Sequence, residues 1–176
     1  MKNELDNILS KSGVVVRTIK YGGLRKIDLL ERLSNENVNL NEYAKVLFSS
    51  DLYETSKNEQ SARIIELSIE DLGFSDGAIF ANIIEKIKML NLKLCSLDIG
   101  PYLRLDYKDQ KEEVEHGRNK APKGSITIFS QPVFEQNEDF PKGFYIRKMD
   151  GKLWLRGYVS PMDYIWEPSA RIILEM

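Results

Sequence analysis

Between Phe144 and Tyr158 two runs of alternating side chains are joined by Asp150 and Gly151, and this stretch limits the fold most tightly. Asp-Gly suits a type I′ turn, because both central residues of that turn take positive φ and its twist matches the strands it joins. A two-residue loop sets the register. Met149 then faces Lys152, Arg147 faces Trp154 and Tyr145 faces Arg156 on one side of the ribbon; Ile146 opposite Leu155 and Phe144 opposite Gly157 share the other. The second side reads as core. The first alternates arginine with aromatic rings, and Tyr145, Arg147, Trp154, Arg156 and Tyr158 are the candidate binding residues.

The rest of the chain supplies partners for such a ribbon. Leu24, Ile27, Leu30 and Leu33 recur at helical spacing until Asn35 to Asn37 breaks the pattern, and Asn39 followed by Glu42 reads as the capping box of a second helix ending near Phe48 or Ser49. Ile79, Ile83, Ile87 and Leu90 make the clearest apolar stripe, with Ser75 as the expected cap and Asn91 as the stop. Strand patterns are read at 64–69, at 92–97 and, after Gly100-Pro101, at 102–107, where Leu103, Leu105 and Tyr107 alternate with Tyr102, Arg104 and Asp106. Further strands are expected at 124–130, 144–149, 152–158 and 170–174, and the charged stretch from Asp109 to Lys123 reads as an exposed loop. Residues 1–12 read as loosely ordered. The expected fold is therefore a single α+β domain over 1–176, in which N-terminal helices and one central helix pack on a mixed or mainly antiparallel sheet formed largely by the C-terminal half.

Size and charge narrow the function. At 176 residues one domain can bury roughly 70% of the surface of its unfolded chain. No apolar run approaches the roughly 20 residues of a membrane-spanning helix, and the first 11 residues lack the apolar segment of a secretory signal. A soluble, cytoplasmic protein is the expectation. A single cysteine, Cys95, excludes an intrachain disulfide and zinc sites built on paired cysteines, while a net charge of −2 gives no global attraction to nucleic acid or an anionic membrane. Any such attraction would need a local basic patch.

Several patterns resemble a bacterial protein family: Asp71-Leu-Gly-Phe with Gly77-Ala, Leu94-Cys95, Gly100-Pro101 and Leu103-Arg-Leu105, then Gly124-Ser-Ile, Pro141-Lys-Gly-Phe-Tyr-Ile-Arg147 and Asp150-Gly-x-Leu-Trp-Leu-Arg-Gly-Tyr158. The resemblance implies a shared fold and brings no activity with it. Some members of that family carry a helicase label, but this chain has no Gly-x-x-x-x-Gly-Lys-Ser/Thr phosphate loop. Near Cys95 the family pattern has Pro and Glu, where this chain has Ser96 and Asp98.

Candidate chemistry is sparse. His116, the single histidine, falls in the acidic stretch after Glu112 and reads as a surface residue; Cys95 reads as a buried thiol with no histidine to activate it. Asp98, Asp106 and Lys108 have the residue types of a metal-dependent phosphodiester hydrolase, in which two carboxylates hold magnesium and a lysine on the same strand face orients water. Solvated strand-end charges explain the same residues without function. Asn137 to Asp139 reads as a turn. The hairpin is locally basic, with Lys142, Arg147, Lys148, Lys152 and Arg156 against Asp150, that is 5 − 1 = +4. Guanidinium groups interleaved with rings stack on aromatic ligands or hold anionic ones. The same pairing also serves as ordinary cross-strand stabilisation. The sequence therefore favours a non-enzymatic binding or interaction domain with no cofactor, no metal and no catalytic residue, whose partner is an anionic or aromatic ligand or another protein; the nuclease-like hydrolase is the alternative.

Overall fold

In the computed structural model, which describes residues 3–113 and 121–176, a seven-stranded mixed sheet lies between two layers. The elements are α1 (Glu4–Leu9), β1 (Val15–Tyr21), α2 (Lys26–Asn35), β2 (Asn39–Leu40), α3 (Glu42–Ser49), β3 (Gln60–Ser68), β4 (Ala78–Ile79), α4 (Phe80–Met89), α5 (Ile99–Asp106), β5 (Ile126–Ile128), β6 (Gly143–Met149), β7 (Lys152–Tyr158), β8 (Ile165–Trp166) and β9 (Arg171–Glu175). The large sheet runs β1-β3-β9-β5-β6-β7-β2, with β9–β5 and β7–β2 parallel and the other pairs antiparallel; β4 and β8 form a separate two-stranded ribbon. The α+β class, with its sheet drawn mainly from the C-terminal half, is the one the sequence predicts.

Both faces of the sheet centre are covered, so β3 carries four consecutive buried residues, Ile64 to Leu67, instead of an alternation. Ile64, Ile173, Ile128, Phe144, Ile146 and Leu155 pack with α2, α3 and α5 on one side. Ile65, Leu67, Ile172, Leu174 and Phe129 pack with α4 and Trp166 on the other. Asn37 and Asn91, each at φ 56°, end α2 and α4 in the left-handed conformation. After each, the amide two residues beyond the helix cap donates back into the last turn, Val38 to the Leu33 carbonyl at 3.0 Å and Leu92 to that of Ile87 at 2.8 Å.

Several local expectations give way to tertiary structure. Residues 4–9 form α1 and bury Ile8, so the N-terminal stretch is ordered by packing rather than loose. Asn41, not Asn39, caps α3: its Oδ1 accepts from the Ala44 amide at 3.0 Å, and Asn39 pairs with Trp154 in β2. Helix α4 starts after Ile79 with no side-chain cap, so Ser75 does not serve. The 92–97 strand is reduced to isolated bridges, Lys93 with Glu175 and Cys95 with Ser130. The largest difference is at 102–107, where the expected strand is helix α5. Every residue from Ile99 to Leu105 is buried, and a helix enclosed on all sides has no polar stripe from which a helical period could be read. His116 lies outside the described residues.

Candidate functional site

The β6–β7 pair has Arg147 opposite Trp154, Tyr145 opposite Arg156 and Ile146 opposite Leu155, with Asp150 at φ 50° and Gly151 at φ 70° in the turn. A carboxylate distant in sequence braces that turn: Glu112 accepts from the Asp150 amide and, at 3.0 Å, from the Gly151 amide. The side carrying Phe144, Ile146 and Leu155 faces α3 and α5, as a core face should. On the opposite side α4 covers the β3–β9 part of the sheet, and Tyr158 packs against the edge of that cluster. Trp154, Arg147, Arg156 and Tyr158 are half-buried, and Tyr145 is buried.

Arg156 organises this side. Its Nε donates to the Tyr145 hydroxyl at 2.7 Å, and its guanidinium carbon lies 5.2 Å from the Trp154 ring centre and 5.8 Å from that of Tyr145. Among the described residues no carboxylate pairs with it. Tyr145, Arg156 and Tyr158 line a cleft of about 480 Å³ whose other wall comes from Tyr43, Tyr164 and Trp166. Arg147 and Trp154 sit nearer the turn, outside the cleft wall, with Trp154 flanking Arg156. Rings continue inward from Tyr145 to Tyr158 at 6.5 Å, to Trp166 at 5.9 Å and to Phe129 at 4.8 Å, the last two in edge-to-face contacts. Burial pushes the Tyr158 hydroxyl well above the ordinary phenol value, so it stays a neutral donor across the physiological range.

Tyr43, Tyr164 and Trp166 are wall residues that the sequence pattern missed. Tyr43 comes from the first turn of α3; the other two lie together near the C-terminus. They are brought in by β8, a two-residue strand whose pairing with β4 is invisible locally, although Tyr164 and Trp166 alternating with exposed Ile165 is a signal of period two. Asn41 fastens α3 to the cleft: its Oδ1 accepts from the Gly157 amide at 2.8 Å and its Nδ2 donates to the Gly157 carbonyl at 3.0 Å.

The two sides of β7 differ in what they contribute to stability. Leu155→Ala, at a site with no exposed surface, should cost about 2–5 kcal/mol. Arg156→Ala removes one hydrogen bond and two ring contacts from a half-buried position and should cost about 1 kcal/mol. Urea unfolding of the two variants checks this, and equal losses would make Arg156 a structural group.

The groups weighed for catalysis are not assembled. Asp98 is buried at the start of α5, where it accepts from the Tyr53 hydroxyl and the Ser56 amide, both at 2.7 Å. Asp106 is exposed at the far end of that helix, about 12 Å along its axis, and Lys108 pairs with Glu36 at 2.6 Å. The shared strand face that hydrolase chemistry needs is absent because the segment is helical. Cys95 is buried, and burial raises its thiol far above the ordinary value. Among the described residues no three His, Cys, Asp or Glu side chains come together, and no helix is long and apolar enough to cross a membrane. No protein-family model, curated protein or solved structure matches the chain.

Proposed function

We propose that this protein is a non-enzymatic binding domain whose site is the Arg156 cleft, and that the ligand is a small planar anion. The observation that supports this reading best is Arg156 itself: a guanidinium beside Trp154 and Tyr145, with its Nε oriented by the Tyr145 hydroxyl and no acidic partner among the described residues, at a cleft lined by rings. An oriented, unneutralised arginine beside aromatic faces offers stacking and charge-assisted hydrogen bonds to one ligand. Arg147 and Lys148 add positive charge along the same hairpin.

The test uses 1-naphthalenesulfonate, a planar aromatic anion, titrated into the protein by calorimetry. Binding at one site, weakened about tenfold or more by Arg156→Ala, is expected. No binding, or an affinity unchanged by Arg156→Ala, contradicts the reading.

A further inference from the structure

Strand β1 forms one edge of the seven-stranded sheet and pairs with β3 alone. The register tells which way its backbone groups point. The Met176 amide donates to the Arg63 carbonyl at 2.8 Å, so Arg63 turns its polar backbone groups toward β9. Successive residues of a strand turn to opposite sides, so Ala62, Ile64 and Glu66 turn theirs toward β1, where Ile19, Arg17 and Val15 stand opposite. Val16, Thr18 and Lys20 are left with three amides and three carbonyls directed outward. No backbone hydrogen bond among the described residues reaches them. Their side chains share the open face of the sheet: Val16 is 37% exposed, and Thr18 and Lys20 are exposed as well.

Proteins guard such edges by shortness, proline, bulges or charge. The opposite edge of this sheet is guarded by shortness, since β2 has two residues. Strand β1 runs for seven, Val15 to Tyr21, with no proline and an unbroken register. Of its two cations, Arg17 lies on the covered face, 4.1 Å from the Tyr107 ring centre and 4.0 Å from the Glu66 carboxylate, and Lys20 pairs with Glu59 at 3.4 Å near the strand end. Charge also selects the partner. In an antiparallel pairing of two copies centred on Thr18, all seven residues pair, Val16 faces Lys20 and Arg17 faces Ile19, so no like charges meet. The two Lys20 side chains then stand four residues apart along the strands, roughly 13 Å, which exceeds the Debye length at physiological salt. Centring one residue earlier sets Arg17 against Arg17, and centring one later pairs five residues of the strand instead of seven.

We propose that β1 is the interface of a two-fold symmetric dimer, in which Val16, Thr18 and Lys20 of each copy exchange backbone hydrogen bonds with Lys20, Thr18 and Val16 of the second copy and the two sheets become one. The pairing uses both β1 edges and leaves only β2, so it closes at two copies. One strand pair is a small interface, so the dimer is weak, with a dissociation constant in the micromolar range. Sedimentation equilibrium over protein concentrations from about 1 to about 500 μM is the test. The average mass should rise from 20.3 kDa toward twice that value and stop there. Thr18→Pro removes the central outward amide and leaves the β1–β3 ladder whole, because that amide takes no part in it; it should weaken association at least about tenfold. Val16→Lys, at a solvent-facing position, sets a lysine against Lys20 of the second copy at both ends and should weaken association about tenfold. Adding Lys20→Glu to Val16→Lys turns both contacts into opposite-charge pairs and should restore association to within about threefold of the unsubstituted protein. Urea unfolding of dilute samples shows which variants are folded, and the lysine variants carry the test if Thr18→Pro is not. A mass that stays at one copy, a mass that grows past two, a dimer indifferent to Thr18→Pro in its folded form or to Val16→Lys, or a charge swap that restores nothing overturns the proposal.

Discussion

Gly157→Ala is expected to destabilise the protein by about 3 kcal/mol, at the upper end of what overpacking one methyl group costs. A Cβ at this position would lie 2.6 Å from the Tyr43 carbonyl carbon, 2.7 Å from the Ala44 nitrogen and 2.8 Å from the Tyr43 oxygen. All three are backbone atoms at the start of α3, so no side-chain rotation relieves the clash. Either α3 or β7 must move, and the movement strains the paired hydrogen bonds between Asn41 and the Gly157 backbone. Gly151 provides the contrast. A Cβ there meets nothing within 4 Å, but its φ of 70° makes an alanine cost about 1 kcal/mol for backbone conformation alone. Urea unfolding at constant m-value should rank Gly157→Ala well below Gly151→Ala, and the reverse order would show that the contact between α3 and β7 is loose.

Phe144→Ala should cost about 4 kcal/mol, within the span seen for removing a buried aromatic side chain. Phe144 has no exposed surface, its ring lies 5.5 Å from that of Phe48 and 6.2 Å from that of Tyr53, and its Cβ presses on Gly100 of α5. Helix α3, the segment after it and helix α5 thus converge on one ring. The backbone of Phe144 is held in the sheet and that of Phe48 and Gly100 in helices, so the space left by truncation stays largely open. Tyr145→Phe, at the next residue but on the opposite face, loses one hydrogen bond to Arg156 and should cost about 1 kcal/mol. Thermal unfolding distinguishes the two, and similar losses would contradict the assignment of one core face and one binding face to the hairpin.

How much of this was legible in the sequence depends on how local the determining physics is. The hairpin could be read because a two-residue turn with Asp150 and Gly151 settles the pairing of fourteen neighbours at once, Gly143 with Tyr158 through Met149 with Lys152. Helix α2 lies where its spacing predicts, but it buries Leu29 and Leu33 and leaves Ile27 of the expected stripe exposed; helix α4 could be read because its stripe is the one it buries, at Ile83, Ile87 and Leu90. Helix α5 could not, because complete burial erases its period and leaves Gly100-Pro101 and an accidental alternation as the local signal. The candidate site was half legible. Tyr145, Arg156 and Tyr158 lie on a face set by local register, whereas Tyr164 and Trp166 reach the cleft through β8 and its pairing with β4, and Asn41 through a cap that also grips β7. Those placements come from the folded chain, and no short window contains them.

The chain has two tryptophans, and they stand differently toward the Arg156 cleft. Trp154 flanks Arg156 on the hairpin face, while Trp166 forms part of the wall behind it. Nuclear magnetic resonance of the two indole N–H groups during titration with 1-naphthalenesulfonate tests the central claim most directly. The account predicts that the Trp154 signal shifts progressively to saturation, and that Arg156→Ala removes the shift without altering the rest of the spectrum. A Trp154 signal that stays in place while the protein is saturated with the anion would contradict it.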